Sequence, residues 1–399
     1  MSDDPWLTLI GLGEDGPDGL SPASREALAA AEVVMGPPRH LSLLPDAGQE
    51  RIEWPVPFAD GLPILKGLSG RKVAVLLSGD PFWYGAGRAI AETFGADEFR
   101  VFPAPSTFSL AASRLGWPME DTLCIGLHAT PFERLRPELA LGVRAIVLVR
   151  DGGSVQRLAG YLAAEGFDSS EMIALEALGG PRERVTRFTA CMVPDVEFIH
   201  PVAVAFEIAG EGRAMSHASG LDDGWFETDG QITKRPMRAL AMSALAPVPG
   251  ERLWDIGGGS GSIAVEWCLS HPRMRAISIE PRGDRASRIR ANADRFGLAR
   301  LDVVEGAGPD ALDGLPLPDA VFVGGGLSEQ LLTDLEARLA PGTRIVAHAV
   351  TLETEALIAS AAARLGGTLM RIEVSETTPL GPKRGWKAAF PVVQWRVTL

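Results

Sequence analysis

The chain has 399 residues, 46% of them hydrophobic and 22% charged, with 45 glycines and 30 prolines. This is the make-up of two or three globular domains and excludes a disordered, collagen-like or coiled-coil chain. The net charge of −13 is unevenly spread: from Gly230 onward there are 20 Lys+Arg against 18 Asp+Glu, so the first 229 residues hold 18 against 33, a poor surface for nucleic acid.

No apolar run approaches the ~18 residues of a membrane span. Three distant cysteines, Cys124, Cys191 and Cys268, offer neither a disulfide framework nor a metal-ligand spacing. The acidic start of the chain lacks the basic and apolar stretches of a signal peptide. The expectation is a cytoplasmic protein without a resident metal.

Apolar runs alternate with Ala/Leu/Arg-rich stretches throughout, the pattern of α/β domains with largely parallel sheets. Strands are expected at Trp6–Ile10, Val33–Met35, Val73–Leu77, Ala145–Val149, Met172–Leu175 and Val202–Ile208. A second series follows at Arg252–Ile256, Ala276–Ile279, Leu301–Val304, Ala320–Val323, Arg344–Ala347 and Pro391–Val397. Residues 210–230, rich in glycine and acid, break the pattern. The division expected is a first domain over 1–209, a linker over 210–229 and a second domain over 230–399.

In the first domain, Ile10-Gly-Leu-Gly-Glu-Asp-Gly16 spells G-x-G-x-x-G after a strand. A dinucleotide site is disfavoured there, because Glu14, Asp15 and Asp18 would repel phosphates and the helix begins only at Ser21-Pro22. Two further stretches matter: Val73–Leu77 running into Ser78-Gly79-Asp80-Pro81-Phe82-Trp83-Tyr84-Gly85, and Phe102-Pro-Ala-Pro-Ser106-Thr107-Phe108. Together with Ile10–Gly16 they resemble the tetrapyrrole (corrin/porphyrin) methylase family over about residues 5–208. The resemblance implies two α/β subdomains with S-adenosylmethionine in the cleft between them. It also implies that Leu12, Ser78, Gly79, Asp80, Trp83, Ser106 and Thr107 lie near that cofactor. Arg39-His40, after the Gly36-Pro-Pro turn, could line the acceptor side or serve as a surface or capping pair.

In the second domain, Arg252-Leu-Trp-Asp255-Ile-Gly257-Gly258-Gly259-Ser260-Gly261-Ser-Ile-Ala264 is a strand, a glycine loop and a helix start. Glycines admit a ligand close to the backbone, and a helix N-terminus faces its polar end. Glu280 closes the next strand, where a carboxylate can accept from ribose hydroxyls. The register G-x-G-x-x-A from Gly259 leaves a nicotinamide enzyme open, although it would end the strand in two glycines. Asp255 disfavours a pyrophosphate and would welcome an ammonium group. The loop resembles the D-x-G-x-G-S-G motif of class I S-adenosylmethionine methyltransferases.

Gly306-Ala307 ends the third strand, where that superfamily contacts adenine. Gly324-Gly325-Gly326 ends the fourth, where the acceptor lies. Three glycines cannot hold a base amine, so a bulky acceptor or a plain loop is expected. Upstream, Asp229-Gly-Gln-Ile-Thr233-Lys234-Arg235-Pro-Met-Arg238 precedes a helix, and Ala347-His-Ala-Val-Thr-Leu-Glu-Thr354 follows later. With these, residues 230–399 resemble the CbiT-type cobalamin-pathway methyltransferases. The resemblance implies that Thr233, Gly257, Gly258, Gly259, Ser260, Gly261, Glu280 and Ala307 surround the cofactor.

The two resemblances in this order imply methylation of a precorrin at C-5 and C-15 with decarboxylation of the C-12 acetate, S-adenosylmethionine being bound twice per chain. The substrate is then a polycarboxylate tetrapyrrole, for which Lys234, Arg235, Arg238, Lys383, Arg384 and Lys387 are candidate cations and Gly324 and Gly325 candidate contacts. A homo-oligomer, dimer or tetramer, is expected. No catalytic side chain emerges from spacing. A nicotinamide-dependent oxidoreductase and a binding module without catalysis remain the alternatives.

Overall fold

The computed structural model describes residues 5–399. The chain forms two compact units: the first runs to Thr130 and resumes over Leu139–Arg213, and the second comprises Pro131–Glu138 and Ala214–Leu399.

The first unit holds two five-stranded sheets. One contains β1 (Leu7–Leu12), β2 (Val33–Gly36), β3 (Glu50–Glu53), β4 (Val73–Ser78) and β5 (Phe99–Phe102), in the order β3-β2-β4-β1-β5. All its pairs are parallel, so both faces must be covered. The period of two does this: Leu7 and Leu9 enter one apolar cluster with Val73, Val75 and Leu77, while Ile10 and Leu12 enter another with Ala74 and Leu76. The helix Pro22–Ala29 starts where expected, Ser21 Oγ accepting the N–H of Ser24 at 3.1 Å.

The other sheet contains β6 (Thr122–Gly126), β7 (Arg144–Leu148), β8 (Glu171–Glu176), β9 (Arg184–Thr189) and β10 (Val202–Glu207), in the order β6-β7-β10-β8-β9. Only its β6–β7 pair is parallel; the other three are antiparallel. The expectation of largely parallel sheets does not hold here, since β8, β9 and β10 return without crossover helices.

The main sheet of the second unit has seven strands: β11 (Arg252–Ile256), β12 (Arg275–Glu280), β13 (Leu301–Glu305), β14 (Ala320–Val323), β15 (Arg344–Ala349), β16 (Thr368–Ile372) and β19 (Val392–Thr398). Their order is β13-β12-β11-β14-β15-β19-β16, parallel through β15 and antiparallel at β19 and β16. The strand order reverses between β11 and β14, and ligands of such sheets bind beyond the carboxyl ends at that point. A separate hairpin joins β17 (Ser375–Leu380) and β18 (Lys383–Ala388).

Two features correct the expected division. The stretch read as a linker is part of the second core from Ala214 on: Leu221, Trp225 and Phe226 are buried with the helices Arg235–Leu245 and Ser262–Leu269. Their apolar bulk outweighs the loop-like glycines around them. The excursion Pro131–Glu138 also belongs to the second unit, with the buried Arg136 guanidinium 4.6 Å above the Trp225 ring.

Candidate functional sites

In the first unit, β1 and β4 pair so that Leu12 lies opposite Ser78. The N–H of Gly79 donates to Leu12 O, and that of Ala104 to Gly79 O, both at 3.1 Å. A Cβ on Gly11 would stand 1.9 Å from Gly79 O, and one on Gly79, whose φ is +52°, 2.9 Å from Pro105 O. Glycine is thus required for three segments to meet. Ser106 caps the helix Thr107–Leu115 by accepting the N–H of Ser109 at 3.1 Å. Asp80 Oδ1 accepts from Phe82 N–H at 2.9 Å, holding the turn that leaves Phe82, Trp83 and Tyr84 about half exposed. The ring of Trp83 meets Phe108 edge-on at 6.2 Å. Leu12, Ser78, Gly79, Asp80, Trp83, Ser106 and Thr107 are therefore gathered at one end of this sheet.

A charged cluster adjoins them. Arg39 and Arg182 both pair with the buried carboxylate of Glu14, Arg182 at 3.0 Å. Arg39 Nη2 also donates to His40 Nε2 at 2.9 Å and to Ser78 Oγ at 3.1 Å. Burial first, and the Arg39 charge second, push the His40 pKa down to about 4, so this imidazole is neutral. Glu14, which looked like a repulsive surface carboxylate, is neutralised from both sides. Arg182 was not singled out in the sequence; it lies 168 residues from Glu14.

In the second unit a cleft of about 450 Å³ opens beyond β11, β12, β13 and β14. Of the residues expected around a cofactor, Thr233, Gly257, Gly258, Gly259, Glu280, Gly306 and Ala307 line it. Glu280, almost fully buried, accepts from Gly259 N–H at 2.8 Å and from Arg282 N–H at 3.1 Å. A Cβ on Gly258 would meet Ser278 Oγ at 2.1 Å, and one on Gly257, at φ +73°, Gly325 O at 2.7 Å.

Three of the expected residues, Asp255, Ser260 and Gly261, do not line the cleft. Asp255 is buried beneath the loop, where it accepts from Ser278 Oγ at 3.2 Å and from the backbone of Ala264. Burial pushes its pKa up to about 7. It buttresses the loop from β11 and is not among the residues that line the cleft. Ser260 is buried, with its carbonyl bonded to Asn292 Nδ2 at 2.8 Å. Gly261 packs on Ile289.

Of the expected substrate contacts, Lys234, Gly324 and Gly325 line the cleft. Arg238 does not: it is wholly buried, paired with Glu266 and Asp223, and lies 4.8 Å over the Phe226 ring. Arg235 is exposed outside the cleft, and Lys383, Arg384 and Lys387 stand exposed on the β17–β18 hairpin. Two cleft residues were given no role in the sequence. Arg285 pairs with Asp229 at 2.9 Å, and that bond, with the Gln231 N–H, holds the carboxyl down at about 2. His348 lines the cleft with Gly324–Gly326, Val350 and Val392.

Residues 7–192 match the family Tetrapyrrole (Corrin/Porphyrin) Methylases, and residues 224–399 match the Precorrin methyltransferase domain. Over 99% of the chain it is 47% identical to a Sinorhizobium protein named precorrin-6Y C(5,15)-methyltransferase [decarboxylating], covering 96% of that protein. A Mycobacterium tuberculosis protein of the same name is 42% identical over 98% of the chain and 99% of its own length. The solved C-terminal domain of precorrin-6Y C5,15-methyltransferase from Rhodobacter capsulatus is 55% identical over 46% of this chain and all of its own, with a TM-score of 0.45.

Proposed function

Because the chain belongs to the precorrin-6Y C(5,15)-methyltransferase (decarboxylating) family, we propose that it methylates a precorrin at C-5 and C-15 and removes the C-12 acetate carboxyl as CO₂. S-adenosylmethionine is the methyl donor at both carbons. The first unit carries the C-5 reaction, the second the C-15 reaction and the decarboxylation.

The observation that carries this reading is the cleft at the β11/β14 reversal, where Glu280 stands beside a loop whose glycines admit a ligand to the backbone. A carboxylate there suits a ribose diol, and Gly306-Ala307 leaves room for a flat base. The end of β11 at Ile256, before Gly257, favours the methyltransferase register over the nicotinamide one. When bound, the sulfonium supplies an electrophilic methyl group, and the meso carbons of a reduced macrocycle are enamine-like nucleophiles. The protein's work is to align donor and acceptor and exclude water, which can supply roughly 7–11 kcal/mol. Lys234 and Arg285 in this cleft, and Arg39 and Arg182 in the first unit, are placed to hold substrate carboxylates.

Two cofactor sites per chain, a dimer or tetramer and a cytoplasmic location complete the proposal. No helix among the described residues is long and apolar enough to cross a membrane. Exposed Leu380, Trp386 and Phe390 on and beside the β17–β18 hairpin favour self-association. Calorimetry with S-adenosylhomocysteine on the full chain should give two equivalents, and turnover should add two methyl groups and release one CO₂ by mass spectrometry. One equivalent, or one methyl group, would refute the two-site reading.

A further inference from the structure

The C-15 reaction proposed above has a proton balance that the cleft must serve, and the inference that follows rests on that reading. When C-15 attacks the methyl group, the carbon–methyl bond forms with an enamine electron pair and the carbon–sulfur bond breaks. The carbon keeps its hydrogen, and the macrocycle carries a positive charge until that proton leaves. In the decarboxylation, the bond between the acetate methylene and its carboxylate breaks. The electron pair passes into the conjugated imine, and CO₂ departs. The methylene then needs one proton to become a methyl group. One step releases a proton and the other consumes one, so a single carrier closes the balance without any co-reactant.

Few cleft side chains can act as that carrier. Glu280 is engaged by two backbone N–H groups. Lys234 and Arg285 are cations paired with Asp223 and Asp229. His348 differs. It stands at the end of β15, directly opposite Gln394 of β19, and its Nε2–H donates to Gln394 Oε1 at 2.9 Å. That bond selects the tautomer whose Nδ1 is an unprotonated acceptor, and Nδ1 has no partner among the described residues. The Phe322 ring meets the imidazole edge-on at 5.0 Å and fixes its plane. His348 is mostly buried, yet it lines the cleft alongside Gly324–Gly326, at the acceptor end.

We propose that His348 is the proton carrier of the second unit, its Nδ1 taking the proton released at C-15 and returning it to the C-12 methylene once CO₂ has left. Burial holds the imidazole pKa below its ordinary value, so the group is unprotonated at the start of the cycle and its conjugate acid gives the proton up readily.

The test uses the full chain, as wild type and as His348→Asn and His348→Gln, with a precorrin deuterated at C-15. In a single turnover the wild type should carry deuterium into the C-12 methyl group. Both variants should lose it and slow CO₂ release by about a hundredfold or more, the scale of a lost proton-transfer group, with C-5 methylation and S-adenosylhomocysteine affinity intact. Nitrogen NMR of the wild type should show His348 protonated at Nε2 alone. Complete absence of deuterium from the wild-type methyl group, wild-type rates in either variant, or the opposite tautomer would overturn the proposal. So would loss of S-adenosylhomocysteine binding in both variants, which would make His348 structural. Failure of the wild type itself to release CO₂ would instead refute the underlying assignment.

Discussion

Arg238 Nε lies 2.5 Å from Glu266 Oε1, with the two side chains 0% and 4% exposed. The same carboxylate accepts the N–H groups of Gly220 and Leu221 at 2.7 and 2.8 Å. The guanidinium in turn bonds the carbonyls of Leu221 and Thr233. The pair therefore ties the 214–229 stretch to two helices of the second unit. Glu266→Gln leaves the buried guanidinium with only the partly exposed Asp223 as counter-charge, which costs about 3–5 kcal/mol. Urea unfolding should show that loss, and a change below about 1 kcal/mol would mean that Asp223 and the carbonyls suffice for Arg238.

Glu280 is a buried carboxylate at the edge of the second unit's cleft. Glu280→Ala removes the acceptor of Gly259 N–H and the proposed ribose contact together. Cofactor binding in the second unit should weaken by about 1–3 kcal/mol, the scale of a hydrogen bond to a charged group. Calorimetry should then resolve one strong and one weak equivalent of S-adenosylhomocysteine. Two unchanged sites would leave Glu280 only a brace for the loop.

Asp255 sets a pH dependence of known sign. Its carboxyl titrates near 7 in the fold, against 3.8 ordinarily, because burial penalises the charge. The folded state holds the proton more tightly, so stability from this group falls as pH rises from 3.8 through 7 and is level above. Asp255→Asn removes that loss. The melting temperature of the variant relative to wild type should rise between pH 5 and pH 8, by differential scanning calorimetry.

His40 has the opposite sign. With its pKa pushed from 6.5 down to about 4, the folded state resists protonation. Its contribution is complete above pH 6.5 and is lost as pH falls through 4. His40→Gln should therefore flatten the acid limb of the stability curve between these values. An acid limb equal to that of the wild type would place the loss in other groups.

What the sequence determined by itself was local and periodic. β11 and β14 occupy the residues expected of them, because short runs rich in apolar residues and ending in glycine have few other conformations. The glycine loop, Glu280 and the Ser78–Asp80 turn were legible for the same reason: their chemistry depends on neighbours within a few residues. Polar edge strands such as β3, β9, β17 and β18 were not, since an exposed strand has no apolar alternation to display. Only the tertiary structure decided which charges line the cleft. Arg238 read as a free cation until Glu266, 28 residues away, enclosed it. Asp255 and Glu280 are both acidic and near the end of adjacent strands, yet one supports the loop from beneath and the other stands in the cleft. His348 acquired a defined tautomer only because antiparallel pairing sets it against Gln394, 46 residues on. Burial and pairing across such distances are properties of the packed chain, and no local spacing encodes them.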